Sequence, residues 1–374
     1  MTRPDTDIAI LGGGCAGLSL AVRLAGKGLH VTVVEPRTDY DDDRVWSFFR
    51  THPDPFESCV RARWSRWHVT QGDSIAQRGS DRLRYESVSS GAFYDHARRI
   101  CDAAPNVRLA LGTSVTGEPV CGRGGHWRVE TTAGPLTSRY MIDTRPTGRA
   151  TGYGQSFLGQ EIRVGFDAFD PGNVPMMCFL PGRPDRVDFL YILPFARDHA
   201  LVEVTTFADT IPSIQEHRTW LDTEIARVTG GRPHDVEREE RAFIPMALPH
   251  RHDHRFAPRF ARAGLRGGAA RPSTGYAFAR IQQMADLCVT QILAGRDQLD
   301  LRIDGPMTRF MDGVFLRVLQ RRPERGPALF ASLFRNAPKD RLERFLSGSN
   351  APVDRVSVMA SLPPAPFLRE VFTR

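Results

Sequence analysis

The stretch Asp7–Glu35, DIAILGGGCAGLSLAVRLAGKGLHVTVVE, constrains the fold more strongly than any other part of the chain. An apolar run of strand length, Ile8–Leu11, leads directly into the spacing G-x-G-x-x-G. Small and apolar residues then recur at helical spacing over Cys15–Leu24. A second apolar run, Val31–Val34, is followed directly by an acidic residue, Glu35. This order of strand, glycine turn, helix, strand and acid predicts the βαβ unit that binds a dinucleotide.

Each glycine of this fingerprint has its own steric role. Gly12 permits the tight turn, Gly14 lets the backbone approach a pyrophosphate, and Gly17 lets the helix pack closely against the sheet. The N-terminus of the helix directs unpaired N–H groups and its positive dipole end toward the phosphates. Glu35 lies 18 residues after Gly17, where an acid accepts hydrogen bonds from an adenosine ribose. A glycine-rich turn in another α/β protein, or a signal peptide, would account for fewer of these features.

The composition is that of an ordinary globular protein. The chain has 374 residues, of which 41% are hydrophobic, enough for two domains or for one large domain with an appended lobe. No apolar run reaches the length of a membrane span; residues 8–25 come nearest, but they contain several glycines and Arg23. The six cysteines form no CxxC pair and no metal-ligand spacing, so we expect reduced cytosolic thiols and no metal site.

The net charge of +7 is concentrated at the C-terminal end. Residues 301–374 carry twelve Arg and one Lys against four Asp and three Glu, a surplus of six positive charges. A GC-rich genome would explain the preference for arginine over lysine but not this clustering. Helical spacing over Phe310–Leu319, Pro327–Phe334 and Lys339–Leu346 predicts a basic helical lobe. Its basic and apolar segment, 310–334, either lies on an anionic membrane surface or caps the protein core.

The middle of the chain is predicted to be rich in strands. Residues 64–88 alternate aromatic and polar side chains, as antiparallel strands do, and Tyr140–Asp143 has the apolar pattern of a buried strand. From residue 155 onward, long strands are interrupted by proline. Among them, Val187–Leu193 and Ala200–Phe207 predict a hairpin in a larger mixed sheet, which we assign to a substrate domain.

Two further segments are candidates for contact with a cofactor. The first follows the βαβ unit, where an acidic run leads to Arg44 and then to large aromatic residues; a loop at this point of a dinucleotide fold lies beside the adenosine and can reach a flavin. A charged turn that enters a core strand is the alternative. The second is a glycine-rich junction, Arg262–Ala270, followed by a helix that is predicted to begin within Pro272–Tyr276 with Ser273 or Thr274 as its N-cap. This junction predicts that the chain returns to the first domain.

Six short strings occur in order from one end of the chain to the other. They are the fingerprint Gly12–Gly17, Trp46-Ser47-Phe48, Met141-Ile142-Asp143, Leu201-Val202-Glu203-Val204-Thr205, Arg271-Pro272-Ser273-Thr274-Gly275-Tyr276 and Leu362-Pro363-Pro364-Ala365-Pro366. No single string decides the matter, but together they resemble those of the bacterial flavoprotein lycopene cyclases over the whole length of the chain.

The resemblance implies an α/β fold that consists of a Rossmann-like FAD-binding domain, a β-sheet substrate domain and a C-terminal helical lobe. We expect the FAD-binding domain to span residues 1–160 and to be completed by 255–300. The substrate domain is expected at 161–254, and a basic, membrane-facing lobe at 301–374. The residues expected to bind the cofactor are Gly12, Gly13, Gly14, Ala16, Gly17, Glu35, Arg44, Gly267, Gly268, Thr274 and Gly275.

The resemblance also implies an activity in carotenoid biosynthesis. Members of this family fold the linear ends of lycopene into β-ionone rings, giving γ-carotene and β-carotene, without net oxidation or reduction. They bind FAD and need it reduced, with NAD(P)H as the usual electron source. The reduced flavin either stabilises the carbocation electrostatically or serves as an acid or base. We therefore expect lycopene as the substrate, no nucleic-acid partner, and a cytoplasmic enzyme peripherally associated with the inner membrane.

The family's essential acid lies in a Leu-x-Glu-x-Thr type of motif, and Glu203 is the matching residue. In a strand, Glu203 shares its face with Leu201 and Thr205, and burial on a mostly apolar face raises the pKa of a carboxyl group. A neutral carboxylic acid is what protonation of an alkene requires. From the pattern alone, a solvent-facing glutamate is also consistent. Two residues depart from the family: Val204 stands where relatives often carry a second acid, and Arg271 where many have His.

Two other functions are consistent with this layout. An FAD-dependent monooxygenase that hydroxylates an apolar substrate would share the nucleotide fold and the sheet domain. Such enzymes usually have a Gly-Asp pair at the second flavin junction, whereas this chain has Gly264-Leu265 and Gly267-Gly268. A non-catalytic carotenoid carrier would need the pocket but neither Glu203 nor a reducible flavin.

Overall fold

The computed structural model describes residues 4–122, 124–146, 152–180, 183–248 and 257–372. The strands in these ranges are β1 (Thr6–Leu11), β2 (Val31–Val34), β3 (Val45–Phe49), β4 (Val60–Trp64), β5 (Arg66–Gln71), β6 (Ser74–Gly79), β7 (Tyr85–Ser89), β8 (Val107–Ala110), β9 (Val120–Cys121), β10 (Trp127–Thr131), β11 (Gly134–Asp143), β12 (Gly154–Val164), β13 (Val174–Phe179), β14 (Val187–Ala196), β15 (His199–Ala208), β16 (His234–Pro245) and β17 (Phe260–Arg262). The α-helices are α1 (Cys15–Leu24), α2 (Ser90–Asp102), α3 (Ile214–Thr229), α4 (Phe278–Leu293), α5 (Pro306–Arg321), α6 (Gly326–Asn336), α7 (Arg341–Leu346), α8 (Pro352–Ala360) and α9 (Pro364–Phe372).

The first sheet is built around the N-terminal βαβ unit. Its strand order is β8-β2-β1-β11-β10-β9, with β17 beside β11, and β1 pairs in parallel with both of its neighbours. Ile8 lies opposite Val31 on one side and Tyr140 on the other, and all three side chains are buried. Burial of this kind is typical of parallel strands that are covered on both faces. The predicted α/β class with a Rossmann-like domain is confirmed.

The second sheet contains seven strands in the order β16-β12-β15-β14-β13-β5-β6. Strands β14 and β15 form the predicted antiparallel hairpin, with Tyr191 opposite Glu203. One face of β15 presents Val202 and Val204 to α3, where they pack with Leu221. Because side chains alternate across a strand, Glu203 points to the opposite face of the sheet.

The division between the two sheets differs from the expected domain boundaries. The boundary at residue 160 falls inside β12, all of which pairs with β16 in the second sheet. Strands β5 and β6, within residues 66–79, also belong to the second sheet although they lie in the N-terminal part of the chain. Alternation of side chains predicts strands but not the sheet that they join, because pairing partners are distant in sequence. The other boundary, between 254 and 255, lies outside the described residues.

Downstream, the chain returns to the first sheet, where β17 pairs in parallel with β11. A short 3₁₀ helix, Gly264–Gly267, follows, and α4 then packs against α1. The expected N-cap of α4 is wrong: Ala277 holds that position, and the Ser273 hydroxyl donates a hydrogen bond to Asp312 of the lobe at 2.8 Å. The polar residues form the turn in front of the helix rather than its cap.

Helices α5 to α9 form the predicted C-terminal lobe, which covers part of the second sheet. Arg78 of β6 donates to the carbonyl oxygen of Phe334 at 2.9 Å and pairs with Glu343 at 2.9 Å. The buried Arg271 pairs with Asp312 of α5 at 3.2 Å. Removing one member of such a buried pair costs about 3–5 kcal/mol, so these contacts fix the lobe to the sheets. No helix within the described ranges is long and apolar enough to cross a membrane.

Candidate active site

A cavity of about 170 Å³ lies where the second sheet, the turn at residues 271–277 and the lobe meet. Of the residues predicted to be functional, it brings together Glu203, Thr274 and Gly275, whereas the fingerprint glycines lie outside its lining. Most of its walls are apolar or aromatic. The lining includes Trp46, Ser47, Tyr85, Phe157, Tyr191, Leu201, Glu203, Phe207, Glu240, Thr274, Gly275, Tyr276, Phe330, Leu333 and Leu346.

Glu203 reaches this cavity because it lies on the inward face of β15, between Leu201 and Thr205. Its exposed fraction is 5%, and the Thr205 hydroxyl donates a hydrogen bond to its carboxyl group at 2.7 Å. Burial and, to a smaller extent, the negative charge of Glu240 together raise the pKa of Glu203 to about 8. A solvent-facing position for Glu203 is therefore excluded, and its neutral form dominates at pH 7.

A glycine makes room for the two carboxyl groups. In the sheet, β12 separates β15 from β16, and Gly159 lies opposite Glu203 on one side and Glu240 on the other. A Cβ added to Gly159 would lie 3.2 Å from the Cβ of Glu203 and 3.2 Å from Leu201 Cδ1, closer than most real contacts of this kind. Because Gly159 has no side chain, the flanking carboxyl groups share the space above it.

The second carboxyl group, Glu240, has partners that favour its charged form. Its carboxylate accepts hydrogen bonds from the backbone N–H of Val45 at 2.9 Å and from Arg238 Nη1 at 2.5 Å. The pKa of Glu240 is nevertheless raised, because the effect of burial exceeds the opposing effects of Arg238 and the Val45 N–H. Glu203 has no cationic donor of this kind in the described structure, so of the two carboxyl groups Glu203 holds a proton more readily.

Three tyrosines add hydroxyl groups to the cavity, and one of them, Tyr191, is the cross-strand neighbour of Glu203. The hydroxyl groups of Tyr85 and Tyr191 are 2.7 Å apart, and Tyr276 lies in the same cavity. Burial raises the pKa of all three phenols well above their usual value, so they stay neutral. Tyr276 belongs to the string Arg271–Tyr276, whereas no sequence pattern points to Tyr85 or Tyr191, since they lie on strands far apart in the chain.

The fingerprint adopts the geometry that its glycines predict. Gly12 has φ +102°, a conformation that side chains rarely adopt, and a Cβ on Gly17 would collide with the carbonyl oxygen of Gly12. A Cβ on Gly14 would meet nothing within 4 Å. Gly14 therefore faces open space at the start of α1, which is where the phosphates of a dinucleotide bind in such folds.

Glu35 follows the last residue of β2 and lies beside the glycine turn of the fingerprint. Its carboxylate accepts hydrogen bonds from the Gly13 N–H at 2.6 Å and from Arg37 Nε at 2.7 Å. Burial alone would raise the pKa of Glu35, but the hydrogen bonds from Arg37 and Gly13 hold it below its usual value. Tyr40 donates to the carbonyl oxygen of Gly13 at 2.9 Å and stacks on Tyr94. Glu35 is thus an ionised acceptor beside the glycine turn.

Arg44 lies between the fingerprint and the cavity. Its side chain is half-exposed and donates to Asp43 Oδ1 at 2.9 Å. Burial raises the pKa of the Cys15 thiol, at the start of α1, to about 12, and the Arg44 charge opposes this rise. The same charge lowers the pKa of Glu240. Arg44 also directly precedes β3, as a charged turn that enters a core strand would, so its assignment to cofactor binding stays a prediction.

Thr274 has the character of a ligand contact. Its Oγ1 is buried in the cavity wall and has no hydrogen-bond partner in the described part of the chain. Leaving a buried hydroxyl unpaired costs about 1–3 kcal/mol, so this wall suits a ligand with polar groups. The next residue, Gly275, has φ +76°, and a Cβ there would collide with Gln155 Oε1. The turn thus brings its backbone close to the sheet.

The glycine-rich junction packs against the fingerprint helix. A Cβ on Gly264 would lie 2.7 Å from the Cβ of Ala16, and one on Gly267 would collide with the carbonyl oxygen of Arg262. Gly268 has φ +79°. These steric constraints explain why glycine stands at these positions without reference to a cofactor. Neither Gly267 nor Gly268 lines the main cavity. Their assignment to cofactor binding stays a prediction.

Outside this site, Glu161, His199 and Glu237 bring potential metal-ligand atoms within 4.8 Å of one another. His199 Nε2 is 2.7 Å from Glu161, whose carboxylate also pairs with Arg61 and Arg238. These cations are the reason that the pKa of Glu161 falls to about 2, although burial acts in the opposite direction. Two guanidinium groups already balance the charge of this carboxylate, so the cluster forms a structural ion-pair network.

The architecture around the site is that of flavin-dependent enzymes. The flavin-dependent monooxygenase PieE, solved in complex with FAD and substrate, matches with a TM-score of 0.61 over 96% of this chain and 72% of that chain. The two sequences are 14% identical, so the likeness shows the fold alone. It agrees with the nucleotide fold, sheet domain and helical lobe described above.

Sequence comparison identifies the family. The family model described as lycopene cyclase protein matches residues 7–371, and the chain belongs to this family. The lycopene beta-cyclase of Pantoea ananas is 24% identical over 389 residues, covering 98% of this chain and 97% of the relative. That of Pseudescherichia vulneris is also 24% identical, covering 96% and 95%. The predicted resemblance is confirmed over nearly the whole chain.

Proposed function

We propose that the protein is an FAD-dependent lycopene β-cyclase, which folds the linear ends of lycopene into β-ionone rings without net redox change. The observation that carries the proposal is Glu203, a buried carboxyl group with a raised pKa that lines an aromatic cavity together with a second carboxyl group, Glu240. Membership of the lycopene cyclase family supports the reaction, and the names of the relatives from Pantoea and Pseudescherichia support the substrate.

The cofactor fits the residues present. The turn of Gly12, Gly13, Gly14 and Gly17 with Ala16 would hold the phosphates, and Glu35 the ribose, while Arg44, Thr274 and Gly275 lie toward the catalytic end. The open space at Gly14 and the unpaired Thr274 hydroxyl are the observations behind this assignment. When reduced, the flavin supplies negative charge beside a developing cation or takes part in proton transfer. NAD(P)H is proposed as its electron source.

Glu203 would begin the reaction. An alkene is a very weak base, so an exposed carboxylate or water does not protonate it at a useful rate. A neutral carboxylic acid held against the terminal double bond can do so, and the aromatic walls exclude the water that would otherwise trap the cation. The six-membered ring then closes, and loss of a ring proton restores neutrality. One proton is gained and one is lost, so the product has the mass of the substrate.

Peripheral attachment to the inner membrane is the second part of the proposal. The expected segment 310–334 mostly packs inward, since Phe330 and Phe334 are buried. Exposed apolar side chains occur instead on α5, α8 and α9, within the basic lobe: Met307, Phe310, Val353, Val356, Met359 and Leu368. Exposed apolar side chains in a lobe rich in arginine suit an anionic membrane surface, where each cation contributes roughly 1 kcal/mol.

Anaerobic turnover tests this function. Wild-type protein with FAD and NADPH, incubated with lycopene in liposomes without oxygen, is expected to give a cyclic product of unchanged mass. The matched control Glu203→Gln keeps the shape of the side chain but lacks the acidic proton, so it should retain FAD and lose cyclisation by several orders of magnitude. A product that contains oxygen and forms only in air would instead identify a monooxygenase. Binding of lycopene without turnover would identify a carrier.

A further inference from the structure

A second cavity, of about 240 Å³, lies inside the lobe. Helices α5 to α9 enclose it, and its lining is apolar apart from Ser273, Thr274 and Asp312. The Asp312 carboxylate pairs with Arg271 at 3.2 Å and accepts a hydrogen bond from Ser273, both through Oδ1, whereas Asp312 Oδ2 has no hydrogen-bond partner in the described part of the chain. Because polar atoms form only a small part of the lining, the cavity suits a ligand that is mostly hydrocarbon.

The two cavities share a wall. Phe330, Leu333 and Leu346 line both of them, as does Thr274. The three apolar side chains are buried, and no hydrogen bond fixes their rotamers, so packing alone keeps the cavities apart. A change of rotamer in this wall would join the second cavity to the one that contains Glu203.

The other end of the second cavity leads to the protein surface. Phe310, Met359 and Leu368 belong to its lining, yet their exposed fractions are 52%, 55% and 54%. The second cavity therefore lies between an exposed apolar surface and the shared wall, and the catalytic carboxyl group lies in the cavity on the other side of that wall.

We propose that the second cavity binds the hydrocarbon chain of the carotenoid while one end of the molecule reacts at Glu203. The proposal depends on the function proposed above. The first cavity, at about 170 Å³, is smaller than the roughly 300–1,000 Å³ of pockets that enclose even a drug-sized ligand, so it holds only one end of lycopene. The rest of the chain must leave through a wall, and the wall of Phe330, Leu333 and Leu346 leads into apolar space.

Filling the second cavity tests this assignment. Val314→Trp and the smaller change Val358→Phe add volume to side chains that line the second cavity but not the first. Leu293→Trp, on the exposed end of α4, is the matched control. The quantity measured is the ratio of kcat/KM for lycopene to that for an apolycopenal, a truncated form that keeps one linear end and about half of the chain. This ratio should fall at least tenfold in both filled variants and keep its wild-type value in the control.

A second measurement separates this proposal from the proposed function. Direct binding of lycopene, followed by co-elution with the flavin-loaded protein, needs no turnover and should weaken at least tenfold in the filled variants. Wild-type protein that cyclises neither compound would refute the proposed function. Even then, comparing lycopene binding by the wild type and the filled variants would test whether the second cavity holds the hydrocarbon chain. Filled variants that keep normal flavin content and thermal stability, and that bind lycopene and process both compounds as the wild type does, would overturn the assignment. If Val314→Trp does not fold, the assignment of the second cavity is tested with Val358→Phe alone.

Discussion

Glu203 is a single side chain whose burial determines the pH dependence of the whole reaction. Its pKa is raised to about 8, so the proton donor is present at neutral pH and is lost as the pH rises through this value. We expect cyclisation to be nearly constant from pH 6.5 to 7.5 and to fall about tenfold per unit well above pH 8. Anaerobic turnover of lycopene across this range is the measurement. A rate that increases from pH 7 to pH 9 would rule out a neutral carboxylic acid as the donor.

Gly14 tests the cofactor site without disturbing the fold. Because a Cβ there meets nothing within 4 Å of the protein, Gly14→Val should fold with a stability close to that of the flavin-free wild type. The added side chain would instead occupy the space assigned to the pyrophosphate, so the purified variant should lack FAD. Flavin absorbance and thermal unfolding check the two expectations separately.

Gly17→Ala is the contrasting variant: its methyl group would collide with Gly12, and it should lose stability as well as flavin. Full flavin content in Gly14→Val would show that the fingerprint assignment is wrong.

At the scale of elements, β12 matters because it separates the two strands that carry the carboxyl groups. Gly159→Ala would place a methyl group 3.2 Å from the Cβ of Glu203 and displace this carboxyl group by a few tenths of an ångström. A displacement of about 1 Å can cost on the order of 100-fold in rate, so we expect a loss of about tenfold in kcat with unchanged flavin content. Gly165→Ala, in the open turn after β12, is the control. Equal rates for both variants would mean that Gly159 does not position the acid.

The same elements show how far the sequence alone predicts this protein. The βαβ unit with its helix α1 and the β14–β15 hairpin were predictable because each depends on local periodicity within a few turns or strands. The position of β12 between β15 and β16 in the second sheet could not be predicted, and neither could the pairing of Gly159 with Glu203 and Glu240. The register between strands that are distant in sequence leaves no local signal. The Ser273 cap was wrong for a related reason: its partner, Asp312, is 39 residues away.

Over the whole molecule, charge and apolar exposure coincide on the lobe. The surplus of positive charge lies in residues 301–374, and the same helices expose Phe310, Met359 and Leu368 at the outer end of the second cavity. We expect the protein to float with anionic liposomes at low salt and less at high salt, because screening weakens the attraction of the arginines. Phe310→Asp should lower the bound fraction several-fold, whereas Leu293→Asp, exposed on α4, should not. No flotation at either salt concentration would contradict attachment.

The central claim is that Glu203 delivers a proton to lycopene and that the same reaction removes a different proton from the ring. In heavy water the carboxyl group exchanges with solvent, so it delivers a deuteron while a substrate proton departs. Mass spectrometry of the product formed anaerobically in heavy water should therefore show a gain of about one mass unit for each ring closed, and Glu203→Gln should form no labelled product. A cyclic product without deuterium, or a product that has gained oxygen, would contradict the account.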